Sequence, residues 1–200
     1  MVSCEEIVEK FVSDIAGVKR GGKILIVSGE LCCDVYNHPK VDEVLQKVFE
    51  KGATLEVVAG PVISVSSEKG RNRFFDYEDK IKFFCSKIRS LKHYRIIPSE
   101  SETILYAESP HPPAADPEVR TPTEINSEEQ EFWVRKLKED FDYWLKNNLI
   151  WPARRDNFLF LTIQQIRKIM EKTEMRSKSY QFMNKEEIEE FGREVGVLRD

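Results

Sequence analysis

Chemistry in this chain could centre on three histidines, and two of them sit among carboxylates. His38 follows Glu30 and Asp34, and His111 lies in the run Glu108-Ser109-Pro110-His111-Pro112-Pro113. Imidazole beside carboxylate can bind a divalent metal or move a proton. Proline around His111 restrains the backbone and lowers the entropy lost in presenting the ring. The bland alternative is a stiff surface loop, and histidines without paired spacing do not define a metal site, so none is expected. Ser28-Gly29-Glu30 is a second candidate. It leaves a short apolar run, where Gly29 permits close backbone approach and Glu30 could accept hydrogen bonds from a ligand, or where the chain simply turns. No G-x-G-x-x-G and no P-loop is present, so no nucleotide cofactor is expected.

The cysteines offer less. Cys4, Cys32, Cys33 and Cys85 form no C-x-x-C pair, which fits neither a zinc knuckle nor a redox motif. Cys32-Cys33 would need a neighbouring positive charge to become a reactive thiolate, and the adjacent sequence supplies none. Buried free thiols are the expected state.

These residues need a frame, and 200 residues suffice for one domain with an appendage. Apolar residues make up 40% and charged residues 33%, a globular composition. The net charge of −4 argues mildly against a general nucleic-acid coat. A local exception is the segment holding Arg154, Arg155, Arg167, Lys168, Lys172, Arg176 and Lys178, against Asp156, Glu171 and Glu174. With Trp151 and Tyr180 nearby it could contact phosphates, or be the wet face of a helix. The start Met1-Val2-Ser3-Cys4-Glu5-Glu6 is acidic where a secretory signal would be basic, and no apolar run reaches membrane-spanning length. A cytoplasmic location is expected.

Along the chain, Ser3 and Glu6 read as a capping box before Ile7, Val8, Phe11, Val12, Ile15 and Val18 at helical spacing. Lys23 to Val27 reads as a buried strand. Pro39 opens a helix with Val41, Val44, Leu45 and Val48 inward, and Gly52 stops it. Thr54 to Val58 is the next strand, so a parallel strand–helix–strand unit is expected. Lys69-Gly70-Arg71-Asn72-Arg73 reads as an exposed basic loop, and Asp76 as the cap of a helix carrying Ile81, Phe84, Cys85 and Ile88. Tyr94–Ile97 and Thr103–Ala107 predict an antiparallel hairpin. The stretch from Ser109 to Asn126 is a proline-rich loop.

Ser127 and Gln130 open a long helix whose Phe132, Trp133, Leu137, Phe141, Trp144 and Leu145 are expected to pack in the core. Thr162 caps a helix with Ile163, Ile166, Ile169 and Met170, and Asn184 another with Ile188, Phe191 and Val195. The expected fold is α/β: a mixed, partly parallel sheet flanked by helices over 1–148, with a helical C-terminal extension over 149–200.

In this order, Val27-Ser28-Gly29-Glu30, Val35-Tyr36-Asn37-His38-Pro39-Lys40-Val41, Val57-Val58-Ala59-Gly60-Pro61 and Ala107-Glu108-Ser109-Pro110-His111-Pro112-Pro113 resemble the phospholipase D-like α/β domain. The likeness runs from Lys23 to about Lys146, and is strongest to compact members that have lost the catalytic motif. Active members carry His-x-Lys-x-x-x-x-Asp. The resemblance implies a nucleophilic histidine attacking a phosphodiester, a lysine offsetting phosphoryl charge, and two such motifs meeting within a chain or across a dimer. Here the one echo is His93-x-Arg95-x-x-x-x-Glu100, with Arg and Glu in place of Lys and Asp and with Pro98 interrupting it. The hairpin strand Thr103–Ala107, where the resemblance would put the histidine, has none.

The leading expectation is therefore a non-catalytic ligand- or partner-binding protein with no cofactor, its site rimmed by Ser28, Gly29, Glu30, His38, Glu108 and His111. His93 and Arg95 are the candidate phosphate contacts. The rivals are a phosphodiesterase-type hydrolase acting as a dimer, and a nucleic-acid-associated protein using the basic C-terminal segment. The partner is a small ligand or a protein, a homodimer being one arrangement; no membrane is expected.

Overall fold

In a computed structural model, the structure describes residues 4–29, 31, 33–65, 72–88, 93–99, 103–108, 127–172 and 185–198. The chain is an α/β protein built on a six-stranded mixed sheet of order β6-β5-β1-β2-β4-β7. Its strands are β1 (Lys23–Ser28), β2 (Thr54–Ala59), β4 (Ile81–Ser86), β5 (His93–Pro98), β6 (Thr103–Glu108) and β7 (Ile150–Ala153). β1, β2 and β4 run parallel, while β5 is antiparallel to β1 and β6, and β7 is antiparallel to β4. The central strands β1 and β2 are buried from their second residue onward, as expected of strands covered on both faces.

Helices α1 (Cys4–Ala16), α2 (Cys33–Tyr36) and α3 (Pro39–Glu50) cover one face, and α4 (Ser127–Lys146) covers the other. Pro39 opens α3 as expected. Gly52 takes φ 73°, the left-handed geometry that ends a helix, and its N–H donates to the Phe49 carbonyl at 2.9 Å. Val8, Phe11 and Ile15 of α1 and Val41, Val44, Leu45 and Val48 of α3 meet Ile24, Ile26, Leu55 and Val57 of the sheet. On the opposite face, Val134 and Phe141 of α4 pack on Leu25, Val27, Val58, Phe84, Tyr94 and Ile96.

A second, two-stranded parallel sheet joins β3 (Val62–Val65) to β8 (Leu159–Thr162). α5 (Ile163–Lys172) and α6 (Lys185–Glu194) form the C-terminal extension and pack on it through Ile166, Ile169 and Ile188. Thr162 and Gln165 make the expected cap: the Gln165 N–H donates to Thr162 Oγ1 at 3.1 Å, and the Thr162 N–H to Gln165 Oε1 at 2.9 Å.

Several expectations change. Ile81–Ser86 is a strand, not a helix capped by Asp76; Asp76 sits in a 3-10 turn, Arg73–Tyr77. The run Phe83-Phe84-Cys85-Ser86 is buried throughout, so the helical spacing of Ile81, Phe84, Cys85 and Ile88 was the shadow of a strand apolar on both faces. β7 and β8 lie between the long helix and α5, where the sequence suggests only helices. β7 contains Pro152 and is an edge strand, the position that tolerates proline. Asn72, read as part of an exposed loop, is wholly buried. Phe132 and Trp133 on α4 are 50% and 41% exposed rather than in the core, Phe132 on the helix face away from the sheet and Trp133 on its flank. The caps assigned to Ser3 and Asn184 lie outside the described residues, as does the proline-rich loop. No helix among the described residues is long and apolar enough to cross a membrane.

Candidate functional site

The strand directions decide what meets at one end of the large sheet. β1 ends at Ser28, level with Ala59 at the end of β2. Because β5 runs the other way, Val27 pairs with Tyr94, and the start of β5 at His93 comes level with Ser28. His93 in turn pairs with Glu108, the last residue of β6. Glu108, His93, Ser28 and Ala59 therefore form a row along the carboxyl end of the parallel strands, the end at which open α/β sheets seat ligands. Ser28 is 4% exposed.

The exit from β1 is tightly built. A Cβ on Gly60 would run into the Gly29 carbonyl oxygen, so the chain leaving β2 passes directly against the chain leaving β1. Two residues further, Leu31 bridges to Ile63 of β3, and its carbonyl accepts from Ser64 Oγ at 3.1 Å and Asn72 Nδ2 at 3.2 Å. Ser64 and Asn72 are fully buried, so this doubly held carbonyl anchors the loop's far side. Asn72 Oδ1 also accepts from the Phe74 N–H at 3.1 Å, starting the 3-10 turn.

The other expected residues go elsewhere. His38 is the N-cap of α3: its Nδ1 accepts from the Lys40 N–H at 3.3 Å, and its Nε2 lies 3.4 Å from Glu5 Oε2. Lys40 Nζ donates to Glu5 at 2.6 Å and to Glu9 at 3.1 Å, clamping α1 to α3. The Lys40 hydrogen bond and charge hold the Glu5 carboxyl below its usual range, and those to Glu5 and Glu9 raise Lys40. His38 thus belongs to the seam between these helices. Arg95 is 2% exposed beneath α1, with Nη2 3.4 Å from Asp14 Oδ2 and its guanidinium 4.8 Å above the Phe11 ring. Glu30 and His111 lie outside the described residues. So do Cys32 and the side chain of Cys33. Cys85 is a buried thiol whose pKa is pushed up to about 11 by burial. Among the described residues no three His, Cys, Asp or Glu side chains group to hold a metal ion.

The structural contributions missed in the sequence are Gly60, Ser64 and Asn72. The Gly60-Pro61 pair signalled only a strand end. That Gly60 meets Gly29, and that Asn72 reaches Leu31 across 41 positions, depends on pairings no local pattern carries.

No family model matches this sequence, and no curated protein matches it. Among solved structures, it is similar to Nuc, a phospholipase D family member from Salmonella typhimurium, at 13% identity and a TM-score of 0.42, over 76% of this chain and 92% of that one. It is also similar to polyphosphate kinase from Porphyromonas gingivalis, at 12% identity and a TM-score of 0.40, over 78% of this chain and 22% of that one. No residue role is carried across at these identities.

Proposed function

We propose that this chain is a non-catalytic ligand-binding protein built on a degenerate phospholipase D-like domain, with its site at the carboxyl end of the parallel strands. The observation that carries the reading is the row Glu108, His93, Ser28 and Ala59, backed by the Gly29–Gly60 contact. It combines a backbone kept bare of side chains with a histidine and a carboxylate position on neighbouring strands. Glu30 and His111, which follow β1 and β6 in the chain, complete the rim in this reading, and His38, which caps α3, is left out of it. The absence of catalysis is supported by β6 itself: Thr103-Ile104-Leu105-Tyr106-Ala107-Glu108 offers neither the histidine nor the lysine that the family's chemistry requires.

The test is a titration of the isotope-labelled chain with inorganic phosphate and with bis(p-nitrophenyl) phosphate, followed through backbone amides and through release of nitrophenol. Binding that moves the Gly29, Gly60 and His93 amides, without turnover, is the expected result. Turnover that resists chelator and vanishes in His93→Ala would overturn it in favour of the phosphodiesterase. Steeply salt-dependent binding of DNA or RNA, abolished by Arg167→Glu with Lys168→Glu on the exposed side of α5, would favour the nucleic-acid reading instead.

A further inference from the structure

Tyr94 and Asp140 meet under α4, and neither has a hydrogen-bond partner. Tyr94 pairs with Val27, one residue short of the end of β1, and its side chain joins Val134 and Phe141 of α4 in one apolar cluster. It is 2% exposed, and its hydroxyl makes no hydrogen bond. A buried hydroxyl in that state has given up its bonds to water for nothing, and such a group calls for an explanation. Asp140 precedes Phe141 on α4 and lies a turn from both Leu137 and Trp144, which pack on the same cluster. It is only partly buried, and among the described residues its carboxylate makes no hydrogen bond or ion pair. Burial, and after it the nearby Asp140 charge, drive the Tyr94 pKa upward, so the phenol keeps its proton. Yet the two groups do not hydrogen-bond each other.

The residues around this pair are aromatic. At 3.6 residues per turn, Trp133, Leu137, Asp140 and Trp144 fall within about 60° of one another and form one flank of α4. Along the axis, Trp144 is about 6 Å from Asp140 on one side, and Trp133 about 10 Å on the other. Trp133 is 41% exposed, and Trp144 is partly buried. Elsewhere the protein sets its own cations on aromatic faces. Lys82 lies 5.0 Å from the Phe84 ring, Lys87 5.2 Å from Trp151 and Arg155 5.1 Å from Phe160. Among the described residues no basic side chain does so for Trp133 or Trp144. A carboxylate between two indoles favours positive charge from both directions. A cation that carries N–H groups can donate to the phenol oxygen as well. An anion would be repelled by Asp140, and a neutral alcohol would leave that charge unmatched.

We propose that this flank of α4 binds a primary alkylammonium ligand. The ammonium donates to the Asp140 carboxylate and to the Tyr94 hydroxyl oxygen, and the apolar stem lies along Leu137 and Trp144. One ligand group then satisfies both orphans at once. Tyr94 is the second residue of β5, so its ring lies one residue inside the margin of the sheet, where a slender group can reach it from the Asp140 side. The site uses neither the strand-end row nor its glycines.

The test follows the indole N–H signals of the isotope-labelled full chain during titration with butylammonium at neutral pH, where an alkylamine is protonated. The chain has three tryptophans, so Trp151 serves as the internal control. Saturable shifts at Trp133 and Trp144, with Trp151 unmoved, are the expected result. Butyrate, the same kind of stem with the opposite charge, should not produce them. Tyr94→Phe should keep its fold, because the hydroxyl has no partner to lose. It should weaken butylammonium binding about 10-fold and leave tetramethylammonium, which has no N–H to give, unchanged. Asp140→Asn should weaken both cations. The absence of any saturable shift with butylammonium overturns the proposal, as does equal binding of butyrate. So does a Tyr94→Phe chain that binds butylammonium like the wild type, or that loses both cations alike. The phosphate titration probes other residues with the opposite charge, so either proposal can fail alone.

Discussion

The two faces of the large sheet are covered by different means. On one, α1 and α3 lie side by side and enclose an aromatic group in which Phe11 and Phe74 both meet Tyr36, at 5.5 and 4.3 Å between ring centroids. They also bury an ion pair, Asp14 with Arg95. On the other, α4 works alone. A helix is about 10–12 Å wide, whereas six strands spaced about 4.8 Å apart span roughly 24 Å. One helix cannot close that area, and the residues at its margin show it. Glu56 of β2 points to this side, flanked by Lys23 at 2.8 Å and Lys82 at 4.0 Å, both well exposed. Lys82 Nζ also lies 5.0 Å from the Phe84 ring, so its stem covers apolar surface while its head stays wet. Both faces thus bury a carboxylate, but Asp14 lies against the buried Arg95, whereas Glu56 is met by snorkelling lysines whose heads stay wet.

The largest expected effect probes the sealed face. Asp14→Ala removes the carboxylate beside the buried Arg95 guanidinium and should cost about 4 kcal/mol in urea unfolding, whereas Asp14→Leu with Arg95→Met should cost far less. If Asp14→Ala costs under about 1 kcal/mol, that face is wetter than its burial indicates. On the α4 side, Phe141→Ala removes the ring lying edge-on to Phe84 at 5.3 Å and should cost about 3 kcal/mol. A smaller loss would mean that the lone helix shifts to fill the gap.

The third prediction concerns pH. Burial raises the Cys85 thiol from 9.0 to about 11, so the folded chain holds its proton where the unfolded chain has released it. The associated stability is fully present below pH 9 and is lost as pH rises toward 11, by about 1.4 kcal/mol per unit. Denaturation at pH 8 and pH 10 should show this slope, and Cys85→Ala should flatten it. The smallest effect is expected at Tyr94, buried under α4. Its hydroxyl has no hydrogen-bond partner among the described residues, and burial, with the Asp140 charge beside it, drives its pKa upward. Tyr94→Phe should therefore leave stability unchanged or raise it by up to about 1 kcal/mol; a clear loss would reveal a partner for that hydroxyl.

Elements with local signatures were legible in the sequence. The β1–α3–β2 unit announced itself through short apolar runs, Pro39 and Gly52, and the β5–β6 hairpin through two β-rich runs about a turn apart. Ser28 and Gly29 were legible as the exit from β1, because a strand's carboxyl end is a position that local pattern reveals. His38 was placed in the same site from its neighbours in sequence, but capping α3 ties it to Glu5 and Lys40.

What the sequence determined by itself was the strands β1, β2, β5 and β6, the helices α1, α3 and α4 and the residue types at the strand ends, since each depends on propensities within a few residues. The tertiary structure alone decided that Ile81–Ser86 is a strand, that Gly60 lies against Gly29, that Arg95 sits under α1 and that Phe132 and Tyr143 face outward. The physical reason is common to all four. Which strand lies alongside, and how far a covering helix reaches, are set by burial between segments distant in the chain, and that selects among local conformations of similar energy.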